Sequence, residues 1–274
     1  MYKRLLTIQD ISCVGQCSLT VALPVISACG VETAVLPSAV LSTQTGGFHN
    51  YTFCDLTPEM AKIEAGWNKD GIKFDAFYTG YVCPEQIDPI LSIMRTTAAE
   101  GAIRVVDPVM ADNGKLYPGF KPDFPSQMAR LCDGADFLLP NLTEAAFLLG
   151  IEPVLSGYDR TYVEKVVRGL RGIGAKNVVL TGVSFEPDQL GCAVFDGESV
   201  KYDFNPRLTR TSHGTGDLFA SVFAGALLRG KSPLCAAALA ADIVCLAIEA
   251  TPDDHWYGVA FEKVIPELST RVGA

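Results

Sequence analysis

The chain has 274 residues, of which 49% are hydrophobic and 19% are charged, and its formal net charge is −9 at pH 7. This composition is typical of a globular protein with a sizeable core, and the length suits one large α/β domain, so we assign residues 1–274 to a single domain. The acidic charge argues against nucleic acid as the main partner, because a phosphate backbone needs a basic face.

Three further features indicate a cytoplasmic protein. The first ten residues, MYKRLLTIQD, have no long apolar run after their basic positions and do not indicate a signal peptide. The most apolar tract, Cys235–Ala250, is too short to span a bilayer and carries Asp242 and Glu249, so we predict a buried helix. The 9 cysteines are an odd number without a CxxC pair, which favours reduced and mostly buried thiols.

Short apolar runs alternate with longer helical periods along the chain. In chain order, the predicted elements are strand Arg4–Ile8, helix Leu19–Cys29, strand Thr33–Leu36, helix Thr57–Trp67, strand Phe74–Tyr78, helix Glu85–Glu100, strand Ile103–Val106, helix Phe124–Asp133, strand Phe137–Leu139, helix Thr143–Leu149, helix Tyr162–Ile173, strand Asn177–Leu180, strands Cys192–Phe195 and Val200–Phe204, a helix from Asp217, and helices Pro233–Ala250 and Val259–Val272. This order predicts a three-layer α/β/α sandwich with a mostly parallel central sheet. The last two strands flank Asp196-Gly197-Glu198, which predicts an antiparallel edge hairpin.

Polar residues cluster where the predicted strands end. They are Gln9-Asp10, Thr79-Gly80-Tyr81, Asp107, Asn141 with Glu144, and Thr181-Gly182. In open parallel sheets a ligand binds beyond the carboxyl ends of the strands, so these positions predict a site at that edge. Taken alone, Asp107 could simply end a strand, and Asn141 with Glu144 also fits the start of a helix.

A glycine-rich turn, His213-Gly214-Thr215-Gly216, precedes Asp217 and an apolar helical period. The start of a helix has unpaired N–H groups and partial positive charge, and glycines let an anion approach them, so the turn predicts an anion site. A carboxylate beside a bound anion is repelled unless it has a chemical task, such as accepting a proton from an attacking hydroxyl. The alternative is that Asp217 is a helix N-cap and the glycines only shape a turn.

Six segments together carry a resemblance to a known family. They are TIQDISCVGQCSLTVALPV (7–25), LSTQTGGF (41–48), TGYV (79–82), DPVMADNG (107–114), PNLTEA (140–145) and HGTGDLFAS (213–221). The whole chain resembles the ribokinase-like (PfkB-type) superfamily, and most closely its vitamin B6 kinases, which act on pyridoxal, pyridoxamine or pyridoxine. The resemblance implies the ribokinase-like fold and ATP-dependent transfer of a phosphoryl group to the 5′-hydroxymethyl group of a B6 vitamer.

The resemblance implies catalytic roles for the glycine turn and its aspartate. Asp217 matches the base that deprotonates the acceptor hydroxyl, and it also lies at the substrate. Gly214, Thr215 and Gly216 match the anion hole that stabilises charge on the transferring phosphoryl group.

The resemblance also implies residues for nucleotide and metal. Asn141 and Glu144 match an NxxE pair that organises Mg²⁺ largely through water, and Asp107 matches an acidic residue near the metal and the phosphates. The implied metal residues are thus Asp107 and Glu144. Thr181 matches a strand-end residue that contacts nucleotide phosphate in the family. Gly214 and Gly216, at the helix start, match residues that also contact the nucleotide. A monovalent cation near the phosphates and a homodimer are implied in the same way.

The vitamin pocket is implied at Asp10, Ser12, Thr45, Gly46 and Tyr81. Many B6 kinases read IQS where this chain reads Ile8-Gln9-Asp10, so the aspartate leaves the preferred vitamer open. We expect the glycine-containing loop from Ser42 to Phe48 to close over the substrate.

Three alternatives stay open. Hydroxymethylpyrimidine kinases of thiamine biosynthesis share similar segments but usually have GTGC, with cysteine at the position of Asp217. Sugar and nucleoside kinases usually carry an N-terminal lid insertion, and we find none in the sequence. A non-catalytic regulator that binds nucleotide or vitamin is expected to lose the base or the glycines, and this chain has both.

Overall fold

A nine-stranded sheet forms the middle of the computed structural model, which describes residues 2–210 and 212–273. In chain order, the strands are β1 (Arg4–Ser12), β2 (Glu32–Leu41), β3 (Phe53–Asp55), β4 (Phe74–Thr79), β5 (Ala98–Val106), β6 (Ala111–Asp112), β7 (Lys115–Leu116), β8 (Phe137–Leu138), β9 (Asn177–Val183), β10 (Gln189–Phe195) and β11 (Val200–Pro206). The order across the large sheet is β11-β10-β9-β8-β5-β4-β1-β2-β3, and β6 pairs with β7 in a separate small hairpin.

The sheet is mostly parallel, as the sequence predicts. β2, β1, β4, β5, β8 and β9 run parallel to one another. β10 and β11 form the predicted antiparallel hairpin at one edge. At the other edge β3 pairs antiparallel with β2, and this strand was not predicted because its three residues are all exposed and show no apolar pattern.

Helices cover both faces of the sheet and complete the three layers. They are α1 (Leu19–Ala28), α2 (Thr57–Lys69), α3 (Ile87–Thr97), α4 (Phe124–Cys132), α5 (Leu142–Leu148), α6 (Arg160–Gly172), α7 (Thr215–Leu228), α8 (Pro233–Ala250) and α9 (Ile265–Val272). The core on one face contains residues of α2 to α6, and the core on the other contains residues of α1, α7, α8 and α9. Short 3₁₀ turns precede α3 at Pro84–Gln86 and α9 at Phe261–Val264.

Alternation along the strands explains why both faces are covered. In β1, Leu6 belongs to the core of one face and Leu5 to the core of the other, although both are fully buried. In β4, Phe77 belongs to the same core as Leu6, and Ala76 belongs to the same core as Leu5. Successive strand residues point to opposite faces, so a strand that is apolar throughout must be buried on both sides.

The predicted helix Glu85–Glu100 is too long. α3 ends at Thr97, and β5 begins at Ala98, whose backbone is extended (ψ 133°). Ala98-Ala99-Glu100 are good helix formers, but Ala98 pairs with Phe74 of β4, so tertiary pairing overrides the local preference. Gly101 therefore lies within β5 at φ 73° and does not end the helix.

β1 and β2 are longer than predicted, and this changes the position of two candidate residues. β2 runs through Pro37, where the sequence indicated an end, and the β1–β2 register shifts between Gln9 and Ile11. A proline, which has no N–H to donate, is tolerated at such an irregularity. Asp10 and Ser12 therefore lie within the last residues of β1 and not in the loop after it.

α8 has the length and apolar composition that a membrane-crossing helix needs, although core helices of other proteins share these properties. The buried residues of α8 form one face of the helix, and they are Ala236, Ala237, Leu239, Ala240, Ile243 and Ala247. α8 packs against α7 and β11, and the helix that the sequence predicts to be buried is buried on this one face only.

The hairpin depends on Gly191, where a Cβ atom would lie 1.9 Å from the carbonyl oxygen of Asp203. We expect Gly191→Ala to lower the free energy of unfolding by about 1–3 kcal/mol, as overpacking does. At Gly66, within α2, a Cβ atom would meet nothing within 4 Å beyond the backbone of its own helix, so Gly66→Ala should raise stability by about 0.5–1 kcal/mol. Urea unfolding of both variants checks this, and wild-type stability for Gly191→Ala would contradict it.

Candidate active site

The carboxyl edge of the parallel strands carries the candidate residues. The chain passes from β1 to β2 on one side and later to β4 on the other, so the crevice between β1 and β4 is a topological switch point. Asp10 lies near the end of β1, and Tyr81 follows β4. Asp107 follows β5 along the same edge.

One cavity of about 540 Å³ brings together the residues predicted for phosphate, metal and proton transfer. The predicted residues that line it are Asp107, Asn141, Glu144, Thr181, Gly214, Thr215, Gly216 and Asp217. They come from the ends of three strands and the start of α7, so the sheet topology assembles residues that are far apart in the sequence.

The start of α7 is built to leave its backbone N–H groups available. Gly214 precedes the helix at φ 78°, in the left-handed region, and no described side chain caps this end. A Cβ atom at Gly214 would lie 1.8 Å from the carbonyl oxygen of Gln16, so only glycine fits. Unpaired N–H groups and the positive end of the helix dipole suit a bound anion.

Asp217 lies in the first turn of α7, two residues after the helix begins at Thr215. The alternative that Asp217 is the N-cap is therefore wrong. Burial and the nearby charge of Asp10 raise the pKa of Asp217 to about 7, against the lowering effect of the Ser18 N–H. A carboxyl group with a pKa near neutrality is suited to accept and release a proton.

Asn141 and Glu144 form the capping box of α5, so the helix-start interpretation is correct. Asn141 Oδ1 accepts from the Glu144 N–H at 2.9 Å, and Glu144 Oε2 accepts from the Asn141 N–H at 2.9 Å. Glu144 Oε1 also accepts from the Met110 N–H at 3.1 Å, which ties the segment after Asp107 to α5. Burial raises the pKa of Glu144 to about 8, although these N–H groups lower it.

Asp107 is 8% exposed, and no described residue makes a hydrogen bond to its carboxylate. Burial and the charges of Glu144 and Asp217 raise its pKa well above the ordinary value. None of the ion pairs among the described residues includes any of these three carboxylates.

Buried carboxylates without an ion pair to a described residue fit a divalent cation. Among residues 2–210 and 212–273, no three His, Cys, Asp or Glu side chains are close enough to hold a metal by themselves. Mg²⁺ keeps several waters and takes one or two carboxylates together with phosphate oxygens. Asp107 and Glu144 fit that role, with Glu144 acting through water because its oxygens already accept backbone N–H groups.

Apolar residues also line the cavity, and sequence reasoning missed them. Its apolar lining includes Leu190, Pro206, Leu208, Ala241, Val244 and Ile248. Such a slot suits the faces of a flat heterocycle. On α8 the signal was a second apolar stripe, Ala241, Val244 and Ile248, beside the buried face, but it is hidden in a helix that is apolar on most sides.

The five residues predicted for the vitamin pocket do not line this cavity. Asp10 and Ser12 are buried, and the Ser12 hydroxyl donates to Asp10 Oδ2 at 3.1 Å. Tyr81 is half-buried, with its ring centroid 5.3 Å from that of Phe120, and it lines a second cavity of about 340 Å³. Thr45 is exposed, and Gly46 packs against His213. Their assignment stays a prediction.

Comparison with known proteins adds three kinds of match. A family model for phosphomethylpyrimidine kinase matches residues 20–258. A crystal structure, in a form with pyridoxal, of a Bacteroides thetaiotaomicron protein assigned to the phosphomethylpyrimidine kinases is 34% identical, covers 98% of this chain and 96% of that one, and has a TM-score of 0.92. Pyridoxal kinase from Lactobacillus plantarum is 33% identical, with coverages of 99% and 98% and a TM-score of 0.89.

A curated relative is also a pyridoxal kinase. Pyridoxal kinase from Dictyostelium discoideum is 26% identical over 85% of this chain and 81% of its own. These matches confirm the resemblance that the motifs indicated, including the ribokinase-like fold.

The metal assignment makes a testable prediction at Asp107, whose side chain makes no hydrogen bond to a described residue. We expect Mg²⁺ to raise the melting temperature of the wild type, and more at pH 8 than at pH 6, because protons compete for the raised-pKa carboxylates at the lower pH. Asp107→Asn should melt higher than the wild type without metal at pH 8 and lose most of the Mg²⁺ response.

Thermal-shift titrations check this, with Asp70→Asn, at the exposed end of α2, as the control for loss of a charge. A full Mg²⁺ response in Asp107→Asn would contradict the assignment.

Proposed function

The chain belongs to the phosphomethylpyrimidine kinase family, and we propose that it is an ATP-dependent kinase that phosphorylates the 5′-hydroxymethyl group of a B6 vitamer. The observation that carries the proposal is the single cavity in which a glycine helix start and two carboxylates lie together. One of them, Asp217, has a pKa near neutrality, and the other, Asp107, has no ion-pair partner among the described residues. This set matches what phosphoryl transfer needs, namely positioning, charge stabilisation and a base.

The proposed reaction assigns one task to each group. Asp217 accepts the proton of the acceptor hydroxyl, whose oxygen forms a bond to the γ-phosphorus of ATP as the bond to ADP breaks. The N–H groups at the start of α7 stabilise charge on the transferring phosphoryl group. Asp107 and Glu144 would hold Mg²⁺, which would neutralise the phosphate charge when it is bound. The apolar slot beside α8 receives the nucleotide base.

The choice of a B6 vitamer as acceptor is supported by the relatives. The Bacteroides protein was crystallised with pyridoxal, and the Lactobacillus protein is a pyridoxal kinase. In this chain the base position is Asp217, where hydroxymethylpyrimidine kinases usually have cysteine. The homodimer and the cytoplasmic location stay predictions.

The second candidate function is hydroxymethylpyrimidine kinase of thiamine biosynthesis, and the description of the matched family favours it. Asp10 bears on the choice, because a buried carboxylate at the end of β1 can accept a hydrogen bond from a ring N–H, a phenol or an amine. A non-catalytic binding protein is the alternative of another class.

The direct test is to compare pyridoxal, pyridoxine, pyridoxamine and hydroxymethylpyrimidine as acceptors with ATP and Mg²⁺. We expect kcat/KM to be at least about tenfold higher for a B6 vitamer, which corresponds to about 1.4 kcal/mol of transition-state preference. A preference for the pyrimidine would move the protein to the second function. Binding without turnover of any acceptor would indicate the non-catalytic protein.

The role of Asp217 predicts opposite effects on activity and stability. With both substrates below KM, wild-type kcat/KM should rise with pH through about 7, because the base must be ionised. Asp217→Asn should lower kcat by about 10²-fold or more and abolish this rise.

The raised pKa means that the folded state holds the Asp217 proton more tightly than the unfolded state does. The stability that this proton contributes is complete below pH 3.8 and is lost as pH rises through about 7. Asp217→Asn should therefore unfold at a higher urea concentration than the wild type at pH 8, with little difference at pH 4. Near-normal turnover of Asp217→Asn would show that Asp217 is not the base.

A further inference from the structure

Three loops meet beside the start of α7, and a fourth lies against all of them. We call residues 42–48 the lid, residues 213–216 the cradle and residues 255–257 the aromatic seat. The fourth loop, residues 13–18, follows β1 and contains Gln16.

The lid rests on the aromatic seat and on the cradle. The ring centroid of Phe48 lies 4.8 Å from that of Trp256 and 6.0 Å from that of Tyr257. Gly47, at φ 79°, packs so closely on Trp256 that a Cβ atom would lie 2.6 Å from its ring. Gly46 packs on the His213 ring, where a Cβ atom would lie 2.8 Å away.

Gln16 is hydrogen-bonded to the lid. Its backbone N–H donates to Gln44 Oε1 at 3.1 Å, and Gln44 Nε2 donates to the carbonyl oxygen of Gly46 at 3.1 Å. Gln44 is only 3% exposed, so this connection is largely shielded from water. A change in the position of Gln16 therefore reaches the glycines of the lid.

Gln16 is also hydrogen-bonded to the aromatic seat. Its Nε2 donates to the two carboxylate oxygens of Glu262 at 2.9 and 3.2 Å. A carboxylate only accepts, so the amide is oriented with Oε1 toward His255, whose Nε2 lies 3.0 Å away and donates. His255 in turn packs on Tyr257, at 4.2 Å between ring centroids.

The carbonyl oxygen of Gln16 completes the set, because it lies against Gly214 of the cradle. One residue thus contacts the lid, the aromatic seat and the cradle with three different groups. We propose that Gln16 is a positioning residue that couples closure of the lid to the geometry of the anion cradle. The proposal rests on the proposed function, since the cradle is the site of phosphoryl transfer.

The coupling has a consequence for the reaction as well as for the structure. A lid that is not held closed admits water, which competes with the acceptor hydroxyl for the phosphoryl group. A displaced cradle also misaligns the attack, and a misplacement of about 1 Å can lower a rate by about 10²-fold. Loss of the Gln16 amide should therefore lower kcat and release ADP without phosphorylated acceptor.

The first experiment measures phosphorylated acceptor and ADP separately, together with melting temperature. Gln16→Ala should lower kcat by at least about tenfold and raise the ratio of ADP to phosphorylated acceptor, with a much smaller change in KM for ATP. Gln16→Glu should do the same, because its carboxylate faces that of Glu262.

A paired exchange separates the contact from a general effect on folding. In the double variant Gln16→Glu/Glu262→Gln, the new amide donates to the new carboxylate, which also accepts from His255, and the net charge is unchanged. We expect this variant to recover the low wild-type ratio of ADP to phosphorylated acceptor and most of kcat. Glu59→Gln, in an exposed ion pair with Lys62 on α2, is the control and should match the wild type.

The second experiment follows the position of the lid by Trp256 fluorescence, in the absence of turnover. The chain has 2 tryptophans, so Trp67→Phe leaves Trp256 in the aromatic seat as the reporter. In this background a non-hydrolysable ATP analogue with Mg²⁺ should change Trp256 fluorescence, and Gln16→Ala should lose most of that change while calorimetry still detects analogue binding.

The two experiments distinguish failure of this proposal from failure of the proposed function. If no acceptor is phosphorylated but the fluorescence response depends on Gln16, the proposed function fails and the coupling stands. Three results would each overturn the proposal. The first is a Gln16→Ala variant with the wild-type ratio of ADP to phosphorylated acceptor and the wild-type fluorescence change. The others are a double variant that recovers neither that ratio nor kcat, and a Trp67→Phe protein whose fluorescence does not respond to the analogue.

Discussion

The close contact between the Gln16 carbonyl oxygen and Gly214 is the constraint on which the site depends. It leaves no room for a Cβ atom at residue 214, and it holds that residue at a positive φ that only glycine adopts without strain. α7 therefore starts directly beside the loop after β1, and no described side chain caps its first N–H groups. Asp217 enters the cavity because it lies in the first turn of that helix.

The electrostatics of the cavity follow from this placement. Asp107, Glu144 and Asp217 are brought to one cavity without an ion pair to any described residue, and burial is the largest cause of the raised pKa of each. Ionised carboxylates in such a site destabilise the fold unless a cation or a proton compensates them. The arrangement is costly for stability alone, which is typical of sites whose groups have a chemical task.

Much of the fold could be predicted from the sequence, because buried strands and amphipathic helices have different periods. The same logic placed Asp107, Asn141 and Thr181 at one edge, since parallel strands end together. The boundary between α3 and β5 could not be predicted, because Ala98-Ala99-Glu100 favour helix locally and only the pairing with β4 decides otherwise. β3 was missed because its exposed residues carry no pattern.

The part of the site whose residues are adjacent in the sequence was predictable. The part whose residues are brought together only by folding was less so. The cradle and Asp217 are adjacent in sequence, so helix-start chemistry identified them. The apolar slot beside α8 was hidden, because its residues look like any other core positions until the fold brings α8, β10 and β11 to one cavity. Gln16 gave no signal, since its importance comes from contacts with Gln44, Gly214 and Glu262, which are distant in the chain.

The most direct measurement is a crystal structure of the protein with a non-hydrolysable ATP analogue, Mg²⁺ and pyridoxal. We expect the terminal phosphate at the N–H groups that begin α7, the base in the apolar slot beside α8 and the pyridoxal 5′-hydroxyl within hydrogen-bond distance of the Asp217 carboxylate. A terminal phosphate bound away from α7, or a 5′-hydroxyl that does not reach Asp217, would contradict the account.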